Sequence, residues 1–359
     1  MTLAAAALPE YSATQAWSDL ANIAPIVAVT VALLLGVVVD LVLPRRHRRP
    51  VVAAIAAGGL VVALAIAGYR LANGYGGPAY FRFATGDSFA LFFEMLFAIA
   101  GVMTVIVASS YVRRRGLHEA ELHVLVLAAV VGMMSLAAAG SLVTVFLGLE
   151  LLSIALYIAC GYNRIEVASQ ESAAKYLIIG GFAAAFVLYG MALVYGATGS
   201  TVLSDIATRV TSDSAGNPLL LLGVLLMGVG FAFKVSAAPF HMWTPDVYQG
   251  APLPVTAFMS VGTKAAAFAM ILRVFSYGLG HISPEWQVLI AFVAATSMIV
   301  GNLLAIVQSS LKRMLAYSGI AQAGYILIGV LAGGRAGVGA VLFYLFGYLF
   351  MNFGAFAVV

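Results

Sequence analysis

Eleven apolar stretches follow one another with only short polar breaks, each close to the roughly 20 residues that an α-helix needs to cross a bilayer. They run from 21 to 43, 51 to 71, 88 to 112, 122 to 140, 141 to 162 and 173 to 195. The rest run from 218 to 240, 255 to 277, 286 to 308, 315 to 331 and 338 to 359. Hydrocarbon offers no partner for a peptide N–H or C=O, so such stretches fold as helices that satisfy their own backbone. The expectation is an all-α polytopic membrane protein of about eleven transmembrane helices. Composition agrees, with 63% hydrophobic and 9% charged residues against about 25% charged in globular domains.

The breaks set an orientation. Under this division Arg45, Arg46, Arg48, Arg49, Arg113, Arg114, Arg115, Arg164, Lys312 and Arg313 fall on one side of the membrane. The other side takes Arg70, Arg82, Arg209, Arg273 and Arg335. The richer side is expected to be cytoplasmic, which leaves the N-terminus outside. The bilayer therefore accounts for the formal charge of +4, and nucleic acid is not expected as a partner. The first twenty residues lack a basic start and read as a polar lead-in, not a signal peptide.

Several chemistries are excluded. The single Cys160 supports neither a disulfide framework nor a thiolate-held iron–sulfur cluster, and it reads as packing. No GxGxxG follows a strand and no GxxxxGK[ST] occurs, so no nucleotide or flavin site is expected in this chain.

One stretch breaks the apolar pattern. From Phe233 to Pro254 the chain reads FKVSAAPFHMWTPDVYQGAPLP, with a lysine, a histidine, an aspartate and four prolines. Pro239 cannot donate to the carbonyl of Val235, so the helix carrying Lys234 is expected to break within a turn of that ammonium. Other ionisable groups lie within the apolar runs, where each is costly and candidate functional. Glu150 is followed by Ser153 and Tyr157 on one helical stripe, and Lys264 stands one turn after Ser260. Lys175 follows Glu171 at i+4, as either an ion pair at the cytoplasmic rim or an input site.

His241 is a proton shuttle or a simple hydrogen-bond partner. Thr244, Pro245 and Asp246 read as the N-cap and first turn of a short helix ending at Gly250. Glu94 is read as pairing with a neighbouring subunit or lying at the interface, and Asp40 as bridged to the basic loop. Ser318, Gln322 and Tyr325, and likewise Tyr344, Tyr348 and Asn352, form polar stripes suited to ordered water or to helix–helix contacts.

FKVSAAPFHMWTPDVYQGAP followed by SVGTKAAAF resembles the signature of the antiporter-like membrane subunits of respiratory complex I. LGLELLSIALY, ESAAKYLIIGGFAAAFVLYGMALVYGATG and LKRMLAYSGIAQAGY extend the resemblance over most of the chain from about Glu150 onward. It implies an antiporter-like fold with inverted repeats and broken helices, divided as 1–120 (helices 1–3), 121–280 (first repeat, helices 4–8) and 281–359 (partial second repeat, helices 9–11). It also implies that Glu150 pairs with Lys234, that Lys264 is a central relay, and that Lys175 and His241 join the proton path. A carboxylate beside a buried ammonium helps it hold its proton, so displacing Glu150 from Lys234 would act as a switch.

The implied partners are other membrane subunits of the complex, including neighbouring antiporter-like and small subunits, and the lipid bilayer. Flavin, iron–sulfur clusters and quinone would belong to partner subunits, and the location would be the bacterial inner membrane. The ending FGAFAVV carries no basic stop, and family members continue for about three more helices, so the chain reads as cut there. Two rivals remain open at this level, a stand-alone cation/proton antiporter and a membrane spacer.

Overall fold

A computed structural model describes residues 12–117 and 119–359. The polar lead-in therefore falls partly outside the described residues; from Ala13 to Asn22 it forms a short helix, α1, capped by the Ser12 side chain. Three long helices follow, α2 (Ala24–Val42), α3 (Arg45–Ala72) and α4 (Ser88–Arg115). A two-stranded hairpin of β1 (Pro78–Ala79) and β2 (Ala84–Thr85) closes the turn between α3 and α4. The arginine-rich run expected as a loop instead forms the first turns of α3. Arg113, Arg114 and Arg115 similarly occupy the last turn of α4, where cations complement the helix dipole.

The chain continues through α5 (Glu119–Ala137), α6 (Leu142–Cys160), α7 (Val167–Thr198), the short α8 (Leu203–Arg209) and α9 (Pro218–Lys234). Next come the short α10 (Trp243–Gly250) and one continuous span built from α11 (Leu253–Phe258), α12 (Lys264–Ile271) and two widened π-type turns, Met259–Thr263 and Leu272–Gly278. It ends with α13 (Ser283–Ile306), α14 (Leu311–Ala332) and α15 (Gly334–Val358). Among the described residues ten helices are long and apolar enough to cross a membrane, and Pro218–Lys234 is a shorter apolar eleventh. Each matches one apolar run of the sequence.

Polar bonds gather at the two ends of the bundle. At the arginine-rich end Arg115 pairs with Glu166 at 2.9 Å, and Asp40 pairs with Arg48 at 3.2 Å as expected. At the opposite end Arg70 donates to Asn22 at 2.8 Å and Arg82 bridges to Asp205 at 2.7 Å. Between the ends packing is tight enough to require glycine. A Cβ on Gly190 of α7 would come within 2.7 Å of the Gly223 carbonyl of α9, so this pair lets two backbones touch where the Lys234 helix docks. The span from Leu253 to Gly278 runs through the middle of the molecule and is almost wholly enclosed by the other helices.

Candidate functional site: buried lysines on a broken helix

The first buried lysine sits where its helix stops. α9 ends at Lys234, six residues short of the expected end at Phe240, because Ser236 turns into the left-handed region at φ 62°. The carbonyls left over at that end find donors. Ser236 N–H and Trp243 Nε1–H both donate to the Phe233 carbonyl, at 3.0 and 3.1 Å, and Ala237 N–H donates to Ala232 at 2.8 Å. A hydroxyl from another helix completes the break, with Ala238 N–H donating to Ser297 Oγ at 2.8 Å. Pro239, with no N–H of its own, lies within this already capped turn. The carbonyl end of α9 carries the negative pole of the helix, which favours the Lys234 ammonium there.

Lys234 is 5% exposed and donates to Ser153 Oγ of α6 at 2.7 Å. Ser153 in turn donates to the Leu149 carbonyl one turn back. The rings of Tyr157, Tyr176 and Phe233 stand 5.7, 5.4 and 5.9 Å from Nζ, distances suited to cation–π attraction. Glu150, one turn before Ser153, is close enough to interact electrostatically with Lys234 but forms no ion pair with it. The expected direct pairing is thus corrected: the Ser153 hydroxyl takes the ammonium, and Glu150 Oε1 is buried without a partner.

Lys264 opens α12, immediately after a π-type turn, at 1% exposure. That turn carries Ser260, which donates to the Ala257 carbonyl at 2.8 Å, and Thr263, which donates to the Met259 carbonyl. Hydroxyls that bond back to their own helix loosen its regular ladder. Ser260 is therefore spent on backbone and not on the lysine. Lys264 Nζ donates instead to the Gly319 carbonyl of α14. Glycine is needed at 319, since a Cβ would stand 2.8 Å from Nζ and 3.2 Å from the Tyr348 hydroxyl. A backbone acceptor has no side-chain signature, which is why Gly319 could not be picked out from residue types.

Between the lysines lie aromatic groups from α7, α10 and α15. Trp243 stacks on Tyr176 with centroids 4.7 Å apart and meets Tyr248 edge-on at 6.2 Å. The hydroxyls of Tyr157, Tyr248 and Tyr348 are buried and without a hydrogen-bond partner, and Asn352 Nδ2 likewise. The remaining polar stripe of the later helices is spent on helix contacts: Tyr344 donates to Gln322, and Asn302 Nδ2 donates to the Tyr325 hydroxyl at 2.8 Å.

Lys175 is different. It is 40% exposed and held by two carboxylates, Glu171 at 2.7 Å and Asp246 at 2.8 Å. Asp246 also takes Arg313 at 2.7 Å, so it ties α7, α10 and α14 together at the arginine-rich end. Asp246 does lie in the first turn of a short helix that ends at Gly250, as expected, but Thr244 is not its N-cap. α10 begins at Trp243 with Met242 at its N-cap, and Thr244 Oγ1 bonds nothing. Hydrogen bonds from Lys175 hold the Asp246 carboxyl below the ordinary aspartate range against the opposing effect of partial burial, with Arg313 adding to the effect. A cavity of about 250 Å³ opens beside this node, lined by Glu171, Ser172, Lys175, Asp246 and Gln249 among others.

His241 is half-buried after the break, its ring 6.4 Å from that of Tyr317, with Nδ1 unpartnered and no hydrogen bond to either buried lysine. Glu94 is 0% exposed within α4, so it neither faces another subunit nor lies at the interface. Arg273, counted above as an outer-loop charge, is buried instead and grips Asp87 through two bonds of 2.6 and 2.5 Å. Cys160 packs against Met259 sulfur at 3.3 Å, and no cluster of three metal-binding side chains occurs among the described residues.

Residues 139–359 match the family described as NADH:quinone oxidoreductase/Mrp antiporter, TM. NADH-quinone oxidoreductase subunit N of Trichlorobacter lovleyi is 49% identical over 274 residues, which is 76% of this chain and 56% of that protein. The protein of the same name in Moorella thermoacetica is 44% identical over 329 residues, 91% of this chain and 68% of that one. The chain thus spans little more than half the length of the first of these relatives. Among solved structures, a chain of respiratory complex I from Thermus thermophilus with bound aureothin aligns with a TM-score of 0.78 and 37% identity, over 93% of this chain and 70% of that one. A chain of the Mrp complex from Dietzia shares the fold at a TM-score of 0.81 and 22% identity, over 93% and 63%. The sequence signature around Lys234, the antiporter-like helical fold and these relatives agree, and the chain belongs to the NADH:quinone oxidoreductase/Mrp antiporter transmembrane family.

Proposed function

We propose that this chain is a proton-translocating membrane subunit of a multisubunit NADH-quinone oxidoreductase, with Glu150, Lys234 and Lys264 carrying the proton path and Lys175 at its mouth. The observation that carries the reading is the pair of enclosed lysines bonded only to neutral oxygens, Ser153 Oγ and the Gly319 carbonyl. An ammonium locked to a carboxylate keeps its proton, whereas one held by dipoles can give it up at modest cost. Glu150, near Lys234 but not bonded to it, is suited to bias that exchange by a small displacement. The work required is small: about 2.3 kcal/mol moves one charge against 100 mV, comparable to less than two pKa units on a buried group.

In this reading His241 is an auxiliary shuttle beside the break. Redox chemistry, with its flavin, iron–sulfur clusters and quinone, belongs to partner subunits and reaches this chain through electrostatics or movement. The arginine-rich end faces the cytoplasm of a bacterial cell, across its inner membrane, and the N-terminus faces the periplasm. Residues 121–280 and 281–359 form a first and a partial second inverted repeat behind the helices of 1–120.

A second reading, a subunit of a cation/proton antiporter, draws on the family's joint description and on the shared fold of the Mrp chain. The subunit N relatives at 43–49% identity favour the first. Lys234→Ala and Glu150→Ala, assayed for proton pumping together with electron transfer in vesicles, test it. Loss of pumping supports a proton path, full pumping in both variants supports a membrane spacer, and sodium-dependent transport by a small assembly supports the antiporter.

A further inference from the structure

One ionisable side chain in the membrane takes no part in the row of lysines. Glu94 lies two turns into α4, is 0% exposed, and has both carboxylate oxygens buried without a donor. Its helix packs on α3, α5, α11, α12 and α15 of the same chain, so no lipid or partner subunit reaches it. An ionised carboxylate stripped of water with no donor in return costs several kcal/mol, a cost that binding a proton removes. A neutral carboxylic acid enclosed in a membrane protein is a bound proton.

The charged groups around it are few and lie toward one end. From α3 comes Arg70, whose Nη2 donates to Asn22 at 2.8 Å and whose Nε is buried without an acceptor. From the start of α4 comes Asp87, seven residues earlier and on the same helical face. From the central span comes Arg273, which holds Asp87 by two bonds, donates to the Ala137 carbonyl of α5 at 2.9 Å and lies over the Phe89 ring at 4.5 Å. The titratable residues of α5, Glu119, Glu121 and His123, belong to the other end of that helix, and Arg335 of α15 is exposed. All three of Arg70, Asp87 and Arg273 are within electrostatic reach of Glu94. Beside Arg273 a cavity of about 290 Å³ opens, lined by Phe89, Leu272, Ser276, Tyr277, Gly334 and Val338, with Ser276 Oγ buried and unpartnered.

We propose that Glu94 is a proton-binding site separate from the lysine row, exchanging its proton with water at the end of the bundle opposite the arginine-rich end, on the side of the Arg273–Asp87 pair. On release the carboxyl O–H bond breaks, the proton passes to water in the cavity beside Arg273, and the electron pair stays on Glu94 as a carboxylate. Arg273 and Arg70 are the cations on hand to balance that charge, and Arg273 already shares one guanidinium between Asp87 and a backbone carbonyl. Arg273 also lies nine residues beyond Lys264 on one continuous span, about 13 Å along the axis. A change at Lys264 that shifts this span moves the counter-ion of Glu94, which gives the site a mechanical link to the row. That link rests on the proton-carrying function proposed above; the binding of a proton at Glu94 does not.

The test uses the assembled complex in sealed vesicles and the variants Glu94→Gln and Glu94→Asp. Glutamine has the shape and neutrality of a protonated glutamate, so Glu94→Gln is expected to assemble as the native chain does. Infrared difference spectra between resting and turning-over complex are expected to show a carboxylic-acid C=O band that Glu94→Gln loses and Glu94→Asp shifts. Glu94→Gln is also expected to slow proton release on the far side by about tenfold or more. A spectrum and a release rate in Glu94→Gln identical to those of the native complex would overturn the proposal. Lys234→Ala in the same vesicles separates the two readings: pumping lost there, with both the spectrum and the release rate of Glu94→Gln unchanged, sinks only the Glu94 site, whereas full pumping in Lys234→Ala sinks the lysine row, and the Glu94 band then stands or falls by itself.

Discussion

Lys175 at the rim and Lys264 in the interior are the same side chain in opposite circumstances. Lys175 is half open to solvent and clasped by two carboxylates, with Arg313 sharing one of them. Lys264 is enclosed, has no carboxylate beside it, and rests on a single backbone carbonyl. At the rim the cations are paired with acids, whereas the two enclosed lysines are bonded to neutral oxygens. A rim built this way fastens α7, α10 and α14 together, while the interior holds each ammonium by neutral oxygens alone. Lys234 lies between the two designs, bonded to a hydroxyl with Glu150 in reach.

The comparison breaks most sharply at Lys264. Lys264→Met keeps the volume and removes the charge, so the fold is expected to be retained or slightly stabilised, since buried charges replaced by well-packed apolar groups are often neutral to about 4 kcal/mol favourable. Pumping is expected to fall by about a hundredfold or more, as for loss of a positioned proton-transfer group. Proton uptake and thermal unfolding of the same preparation measure both. Next comes Gly319→Ala, whose methyl group would stand 2.8 Å from Nζ. It is expected to push the ammonium off its carbonyl and reduce pumping about tenfold while electron transfer continues.

Ser153→Ala probes the intermediate case. It leaves the Lys234 ammonium with aromatic faces alone, and should cost about 1–3 kcal/mol of stability with a smaller loss of pumping. Glu150, the nearest carboxylate, then carries more of the burden, so Ser153→Ala and Glu150→Gln are expected to be non-additive in a double-mutant cycle.

At the rim Asp246→Asn is expected to change stability by less than about 1 kcal/mol, because surface ion pairs contribute little, and to leave pumping near its native level. The pH dependence carries a definite sign. The Asp246 carboxyl is held below its ordinary value of 3.8 in the folded chain, so its contribution is fully present above that value and lost only as pH falls through the lower, folded value. Unfolding of the native complex and of Asp246→Asn should therefore converge only in strong acid. A difference appearing near neutral pH would mean that another group governs the rim.

Much of this arrangement is legible in the sequence, because membrane helices announce themselves by length and apolarity. The eleven runs, the break after Lys234 and the enclosure of two lysines all follow from local residue types. What stayed hidden depends on partners far along the chain. Asp246 looks like a helix-end acid because Thr-Pro precedes it locally, yet its partners Lys175 and Arg313 are 71 and 67 residues away. Arg273 looks like a loop cation because it stands near the end of an apolar run, yet it is buried and paired with Asp87, 186 residues before it. The Ser153 hydroxyl, not the Glu150 carboxylate, meets Lys234 Nζ, although both stand on one stripe of α6. The Gly319 carbonyl could not be read at all, since every residue has one.

The most direct test of this contrast reads the charge of the lysine nitrogens themselves. Nitrogen-15 magnetic resonance of lysine-labelled complex, with Lys175, Lys234 and Lys264 assigned by substitution, compares the resting and the turning-over states. The account predicts that Lys234 and Lys264 move between ammonium and neutral amine while Lys175 stays an ammonium throughout. Three signals that remain ammonium in both states, with pumping under way, would contradict it.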